Sequence, residues 1–338
     1  MAQPELTAPF RIGDVEIANR VLLAPLAGIG NWFVRLQARR HGAGMAVSEM
    51  VSSFAIRHGN ERTLREMLRV HPEEHPVSIQ LFGPEPEVMR GAAEAVSDAG
   101  ADIVDINMGC PVPKICKSGA GAALIRDPER ALEVARAAIE GSRLPVTVKL
   151  RSGLEPGDRS GFDLALRLVE EAGVAAVGFH PRSAAVHHSG KPDYALARTL
   201  VEAVEVPVVI SGGLRSAEAA RRAYAESGAD AVMIARGGLG SPWIFEELTG
   251  ARTEPPTSGE VIGELRWVLD RGAEHWGSER ASRNLRKFYP WYLEQLGIRG
   301  PEADRFQRTS TLDEVRELLA GLDAEAEKAA LAGGRPSL

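Results

Sequence analysis

Cysteine is scarce: the 338-residue chain carries two, Cys110 and Cys116. Six positions apart, they make neither a disulfide framework nor a complete zinc site, so Cys110 is expected to be a free thiol and no metal is expected. Long apolar runs are missing too. Nothing approaches the ~20 residues of a membrane-spanning helix, and the stretch from Met1 to Arg20 has charges where a secretory signal needs an apolar core. A cytoplasmic protein with no membrane partner is the expectation. Positive charge is also in deficit: 40 Lys and Arg against 46 Asp and Glu give a net −6, which argues against non-specific nucleic-acid binding over the whole surface. The deficit is uneven. Between Arg280 and Arg308, seven basic residues (Arg280, Arg283, Arg286, Lys287, Arg299, Arg305, Arg308) face three acids (Glu294, Glu302, Asp304), a local +4 that makes this segment a patch candidate.

What is present is ordinary in amount and regular in order. Hydrophobic residues at 44% and charged residues at 25% suit a globular protein, and the length allows one large domain with or without an appendage. After a hairpin expected over Phe10 to Ile17, apolar strand-type runs ending near Ala24, Met50, Phe82, Asn107, Leu150, Phe179, Ile210 and Ile234 alternate with helix-spaced segments. These include Asn31 to Arg40, Glu87 to Asp98, Pro128 to Ile139, Phe162 to Ala172 and Ala217 to Glu226. Such alternation calls for a parallel sheet covered on both faces. Eight units favour an α/β fold of the closed (β/α)8 type, the TIM barrel, over an open doubly wound sheet. The turns Ala99-Gly100-Ala101-Asp102 and Ser227-Gly228-Ala229-Asp230, each leading into a strand, are an internal echo of the same plan. Past Gly250 the chain changes: a linker over 251–260 is followed by a small C-terminal helical domain over 261–332. There Arg283, Arg286 and Lys287, at i, i+3 and i+4, are expected on one helix face.

Barrel catalytic sites gather at the C-terminal ends of the strands, and those ends are polar here. Asn107-Met108-Gly109-Cys110-Pro111 presents a lone thiol, and the loop behind it has two cations, Lys114 and Lys117, and little side-chain bulk. Ser211-Gly212-Gly213 and Ala235-Arg236 close the last two strands, where many barrels hold phosphate with free backbone N–H groups and an arginine. Lys149 ends an otherwise apolar strand and needs an electron-rich partner if it points inward. With Gln80, Asn107 and His180 on neighbouring ends, it forms a ring of hydrogen-bond partners suited to a flat heteroaromatic ring.

The motifs Leu23-Ala24-Pro25-Leu26-Ala27-Gly28, Val47-Ser48-Glu49-Met50, Asp105 through Pro111, Val148-Lys149-Leu150-Arg151-Ser152-Gly153 and Ser241-Pro242-Trp243-Ile244-Phe245 come in the order seen in one family. The chain resembles the tRNA-dihydrouridine synthases, most closely the bacterial B-type group. The resemblance implies an FMN-binding TIM barrel over 1–250 and a tRNA-binding helical domain. It also implies reduction of the C5–C6 double bond of particular tRNA uridines, with NADPH or NADH restoring the flavin. Pro25, Leu26 and Ala27 would lie along the flavin, and Gln80, Asn107, Lys149 and His180 would meet its ring. Ser211, Gly212, Gly213, Ala235 and Arg236 would hold its phosphate. Cys110 would be the catalytic acid, and Lys114, Lys117, Arg182, Arg283, Arg286 and Lys287 would face tRNA. A monomer is expected. Ser211 and Ala235 depart from the residues usual in the family, as does Phe288, where the family has histidine. The alternatives are a flavin barrel acting on a small molecule and a non-catalytic RNA-binding relative.

Overall fold

The computed structural model of the chain describes residues 3–331; residue 332, where the helical domain is expected to end, lies outside them. The chain forms two compact units. One runs to Gly237 and resumes over Phe245–Ala251; the other takes Gly238–Ile244 and the chain from Arg252 onward.

In the first unit an antiparallel hairpin, β1 (Phe10–Ile12) and β2 (Val15–Ile17), precedes the barrel strands. These are β3 (Val21–Leu23), β4 (Met45–Val47), β6 (Val77–Phe82), β7 (Ile103–Met108), β8 (Val146–Arg151), β9 (Ala176–His180), β10 (Val208–Ser211) and β11 (Ala231–Ile234). A short β5 (Val51–Ser52) lies between β4 and β6 and pairs with the far end of β6. Each barrel strand pairs in parallel with its neighbours, and β11–β3 and β4–β6 pairings close the ring. Among the described residues this is a closed eight-stranded parallel barrel with helices outside it, a (β/α)8 fold. The strands are buried almost throughout, as a sheet covered on both faces requires. Helix Pro86–Asp98 shows how the outer layer follows from sequence: Val88, Met89, Ala92, Ala93 and Val96 fall on one face and are buried.

The echoed turns set strand register. Gly100 and Gly228 adopt φ of 86° and 65°, which a side chain disfavours. Asp102 then clamps the first residue of β6: its amide donates to the Val77 carbonyl at 3.0 Å and its Oδ2 accepts from the Val77 amide at 2.6 Å. Asp230 repeats the arrangement on Val208 of β10, at 3.0 and 2.9 Å.

Phe10, Ile12 and Ile17 of the hairpin share one buried cluster with Leu22, Met45, Ile103, Ala176, Val209 and Ala231, so the N-terminal end of the barrel is apolar. A buried ion pair braces the segment that leads into β6. Arg35, on helix Trp32–Arg40, donates from Nε and Nη2 to the two oxygens of Glu74 at 2.7 and 2.9 Å, and both side chains are 1% exposed or less. The remaining guanidinium donors reach the carbonyls of Gly30 and Arg69, and Glu74 also accepts from the His71 amide. The pair thereby ties the long segment between β5 and β6, with its unexpected helix Ser53–Arg57 and π-turn Thr63–Met67, to the loop after β3.

Other departures are local. The helix expected to run from Phe162 to Ala172 is α-helical over Ser160–Arg167 and finishes as a π-turn, Leu168–Ala172, stopped by left-handed Gly173. In the second unit the expected linker is shorter. Thr257 caps a helix at Ser258–Trp276 through a reciprocal capping box with Glu260, because a hydroxyl followed three residues later by a carboxylate satisfies two otherwise open amides. The basic segment is broken into a helix at Ser278–Asn284, a 3-10 turn at Leu285–Lys287, and a helix at Tyr289–Gln295. Arg283, Arg286 and Lys287 therefore do not share one regular α-helical face. Arg283 and Lys287 are exposed, whereas Arg286 is half-buried and donates to the Thr309 carbonyl at 2.7 Å. A further helix, Gly300–Arg308, was not foreseen.

Replacing Glu74 by alanine leaves the Arg35 guanidinium buried and uncompensated. Chemical denaturation should show a loss of about 3–5 kcal/mol; a loss below ~1 kcal/mol would mean that the pair does not brace the fold.

Candidate active site

Period-two alternation turns a column of polar side chains into the barrel between β6 and β8. Gln80, Asp105 and Thr147 are register partners in one row, and Asn107, Lys149 and Gly178 in the next row towards the C-terminal mouth. Thr147 Oγ1 donates to Asp105 Oδ1 at 2.6 Å and Gln80 Nε2 donates to Asp105 Oδ2 at 2.6 Å. Asn107 Nδ2 in turn donates to Gln80 Oε1 at 2.8 Å. Asn107 Oδ1 then accepts from the backbone amides of Gly109 and Cys110 at 3.2 and 2.9 Å. Burial raises the carboxyl pKa of Asp105, opposed by the bonds from Thr147 and Gln80 and by Lys149.

Lys149 Nζ donates to Ser211 Oγ at 3.1 Å. Burial, and then Arg151, lower its pKa to about 8 against the pull of Asp105 and Cys110. Gly178 makes room for the stem: a Cβ there would lie 3.0 Å from Lys149 Cγ. The Cys110 thiol is half-buried, and burial raises its pKa despite the Val112 backbone bond and the cations Arg151 and Lys149. It is therefore protonated at neutral pH. Arg151, at the end of β8, holds the loop in place by donating to the Gly109 carbonyl at 3.0 Å and to the carbonyls of Ser183 and His187.

Across the mouth, Ser211 ends β10 and passes into Gly212 and Gly213, with φ of 99° and 82°. A Cβ on Gly212 would run into the His180 ring, so this turn can exist only as glycine. Arg182 lies alongside: its Nη1 sits 3.2 Å from the His180 Nε2, and its Nε and Nη2 donate to the Gly190 carbonyl. Burial, and then the like charges of Arg236 and Arg215, lower the Arg182 pKa. The Arg182 guanidinium thus lies against the glycine pair, with Arg236 and Arg215 near enough to act on its charge, a cationic setting that suits an anion. His180 is held neutral by burial and by Lys149, Arg151 and Arg182. Because Arg182 can only donate, the His180 Nε2 accepts and its proton resides on Nδ1.

Most of the expected mouth residues come together in the first unit. The loop Pro25-Leu26-Ala27 follows β3 and is pinned by Glu49, whose Oε2 accepts from the Gly28 amide at 2.8 Å and whose own amide donates to Gly30. Lys114 and Lys117 are exposed on and just after the short helix Pro113–Cys116 beside Cys110. Arg236 is exposed beside the half-buried Ala235. Arg182, expected at tRNA, is 9% exposed and turned to the glycine cradle instead. Asp105, Thr147 and Arg215 were missed, and Arg151, legible at a strand end, had no role assigned to it. For Asp105 and Thr147 the signal was available: each stands two residues before a chosen polar residue in an otherwise apolar strand. Among the described residues, no group of His, Cys, Asp and Glu could hold a metal, and no helix is long and apolar enough to cross a membrane.

A closed parallel barrel with a polar, cationic mouth at its strand ends defines a (β/α)8-barrel enzyme. The family model for dihydrouridine synthase (Dus) matches residues 22–330. The tRNA-dihydrouridine synthase B of Xanthomonas axonopodis pv. citri is 35% identical over 334 residues, covering 97% of this chain and 99% of its own. That of Pseudomonas aeruginosa is 38% identical over 291 residues, 85% and 87% of the two chains. The chain belongs to the dihydrouridine synthase family. Among solved structures, morphinone reductase in complex with tetrahydroNAD aligns with a TM-score of 0.53 at 17% identity, over 76% of this chain and 94% of that one. The old yellow enzyme homologue of Zymomonas mobilis gives 0.53 at 16% identity, over 76% and 96%. These two likenesses establish the shared fold.

Lys149 has a folded-state pKa of about 8 against 10.5 for a free lysine. Between those values the unfolded chain binds a proton that the folded one does not, so this residue makes stability rise with pH through that window. Below it, the charged lysine is a burden on the ligand-free fold. Lys149→Met should stabilise ligand-free protein at pH 7 by on the order of 2 kcal/mol and remove that rise, as measured by denaturant midpoints across pH. Unchanged midpoints would show the ammonium to be solvated.

Proposed function

We propose that the protein reduces the C5–C6 double bond of uridine in tRNA to 5,6-dihydrouridine, with flavin mononucleotide in the barrel mouth and NAD(P)H as reductant. The observation that carries this reading is a protonated, half-buried thiol anchored beside a buried cation and an anion cradle. Family membership and relatives named for this activity support it.

The residues fit the cofactor on their own chemistry. At Gly212 no Cβ could fit, the Arg182 guanidinium lies against the glycine pair with the charges of Arg215 and Arg236 near it, and a buried ammonium is available to an electron-rich ring. The backbone of Ser211, Gly212, Gly213 and Ala235, with Arg236, Arg182 and Arg215, would hold the phosphate. Pro25, Leu26 and Ala27 would line the ring face, and Gln80, Asn107, Lys149 and His180 would meet its edge. Once bound, flavin mononucleotide supplies the hydride that adds to C6 of the uracil. Cys110 delivers the proton to C5 from Sγ; its raised pKa keeps that proton in place at neutral pH. Lys149 offsets negative charge on the ligand, which in turn relieves the burial of its ammonium. Arg151 and Asn107 keep the thiol-bearing loop at the mouth.

The first unit is the catalytic, flavin-binding part, and the second carries a tRNA contact at Arg283 and Lys287. Lys114 and Lys117 add cations beside the thiol. In this reading the enzyme works as a monomer in the cytoplasm.

Cys110→Ala should retain flavin absorbance and NADPH oxidation yet lower uridine reduction at least ~100-fold, followed by mass spectrometry of tRNA fragments for the gain of two hydrogen atoms. Full activity in that variant would overturn the acid assignment, and equal activity on free uridine would favour a small-molecule reductase. Reversing charge at Arg283 and Lys287 should weaken tRNA binding about tenfold or more at 0.1 M salt, leaving the flavin spectrum intact; unchanged affinity would remove the patch.

A further inference from the structure

The hydrogen bonds that climb from Asp105 to Cys110 have a direction fixed from the top. At the top, the amides of Gly109 and Cys110 can only donate, so Asn107 must turn its oxygen to them. Its Nδ2 then faces Gln80, which must turn Oε1 towards it, leaving Gln80 Nε2 aimed down the barrel. At the bottom, something must accept. Asp105, 6% exposed, does so with Oδ2 while Oδ1 receives Thr147. Lys149, with the bonds from Thr147 and Gln80, opposes the rise in the Asp105 pKa that burial imposes.

We propose that Asp105 is a positioning residue: through Gln80 and Asn107 it sets the amide polarity that anchors the loop carrying the Cys110 thiol. This rests on the reading of Cys110 as proton donor. The change Asp105→Leu keeps the approximate volume and removes the acceptor, so Gln80 Nε2 is stranded and nothing holds the Gln80 oxygen towards Asn107. Asp105→Asn keeps the acceptor: the new amide leaves its oxygen on Gln80 Nε2 and turns its NH2 to the Thr147 hydroxyl, which accepts as well as donates, so the anchor on Cys110 survives without a carboxylate.

Three proteins decide it: the parent, Asp105→Leu and Asp105→Asn, all in a Cys116→Ser background that leaves Cys110 the single thiol. The first readout is the pH profile of Cys110 alkylation by iodoacetamide on flavin-free protein. It should move to lower pH in Asp105→Leu as the loop loosens and water reaches the sulfur, with alkylation at pH 8 rising about tenfold. Asp105→Asn should return to the parent profile. The second readout is tRNA uridine reduction, in which Asp105→Leu should lower kcat about tenfold or more at a KM within twofold, and Asp105→Asn should recover kcat above Asp105→Leu. Parent-like alkylation in Asp105→Leu, or Asp105→Asn no better than Asp105→Leu in alkylation, overturns the relay. Because alkylation needs neither flavin nor RNA, a parent protein inactive on tRNA would count against the proposed function and leave the relay to be judged by its thiol.

Discussion

Burying polar groups inside a parallel barrel without leaving any unmet is the constraint on which the mouth depends. A lone asparagine or glutamine amide in that interior would be costly, and an isolated carboxylate more so. Here Thr147, Asp105, Gln80 and Asn107 satisfy one another in series, and the last link is to backbone rather than to a side chain. Such a column is intolerant of partial loss, since each member would strand its neighbour. Rigidity of this kind suits a site that must hold a sulfur steady against a planar ligand.

The same unit divides its labour by height. The N-terminal end of the barrel is plugged by the hairpin and an apolar cluster, which supplies burial with no chemistry. The C-terminal end collects charges that are uncomfortable in the ligand-free protein: a lysine whose ammonium burial disfavours, a histidine kept neutral by burial and surrounding cations, and the Arg182 guanidinium against two glycines with Arg215 and Arg236 near it. Stability is sacrificed there for electrostatic readiness, because cations already in place need no reorganisation when an anionic ligand arrives. The Arg35–Glu74 pair stabilises the adjoining loops on the opposite logic, with both charges fully met.

The barrel was legible because its signals are local and repeated: β-branched runs, glycine stops, and aspartates that clamp Val77 and Val208 in the same way. Cys110, Lys149 and the Gly212-Gly213 turn were also readable, since a strand end followed by glycine or proline advertises itself. The basic helix of the second unit was misjudged for a physical reason. Spacing assumes an unbroken α-helix, and the 3-10 turn at Leu285–Lys287 rotates Arg286 inward to the Thr309 carbonyl.

Sequence alone therefore determined the eight alternating barrel strands with their main helices, that the strands close in parallel, and which ends carry reactive side chains, because these follow from periodicity and from the conformational limits of glycine and proline. Only the tertiary structure decided that Arg182 turns to the glycine cradle, that Arg151 grips the Gly109 carbonyl, and that Asp105 stands beneath Gln80. Those facts depend on register between strands far apart in the chain and on burial, which sets the cost of every unpaired charge.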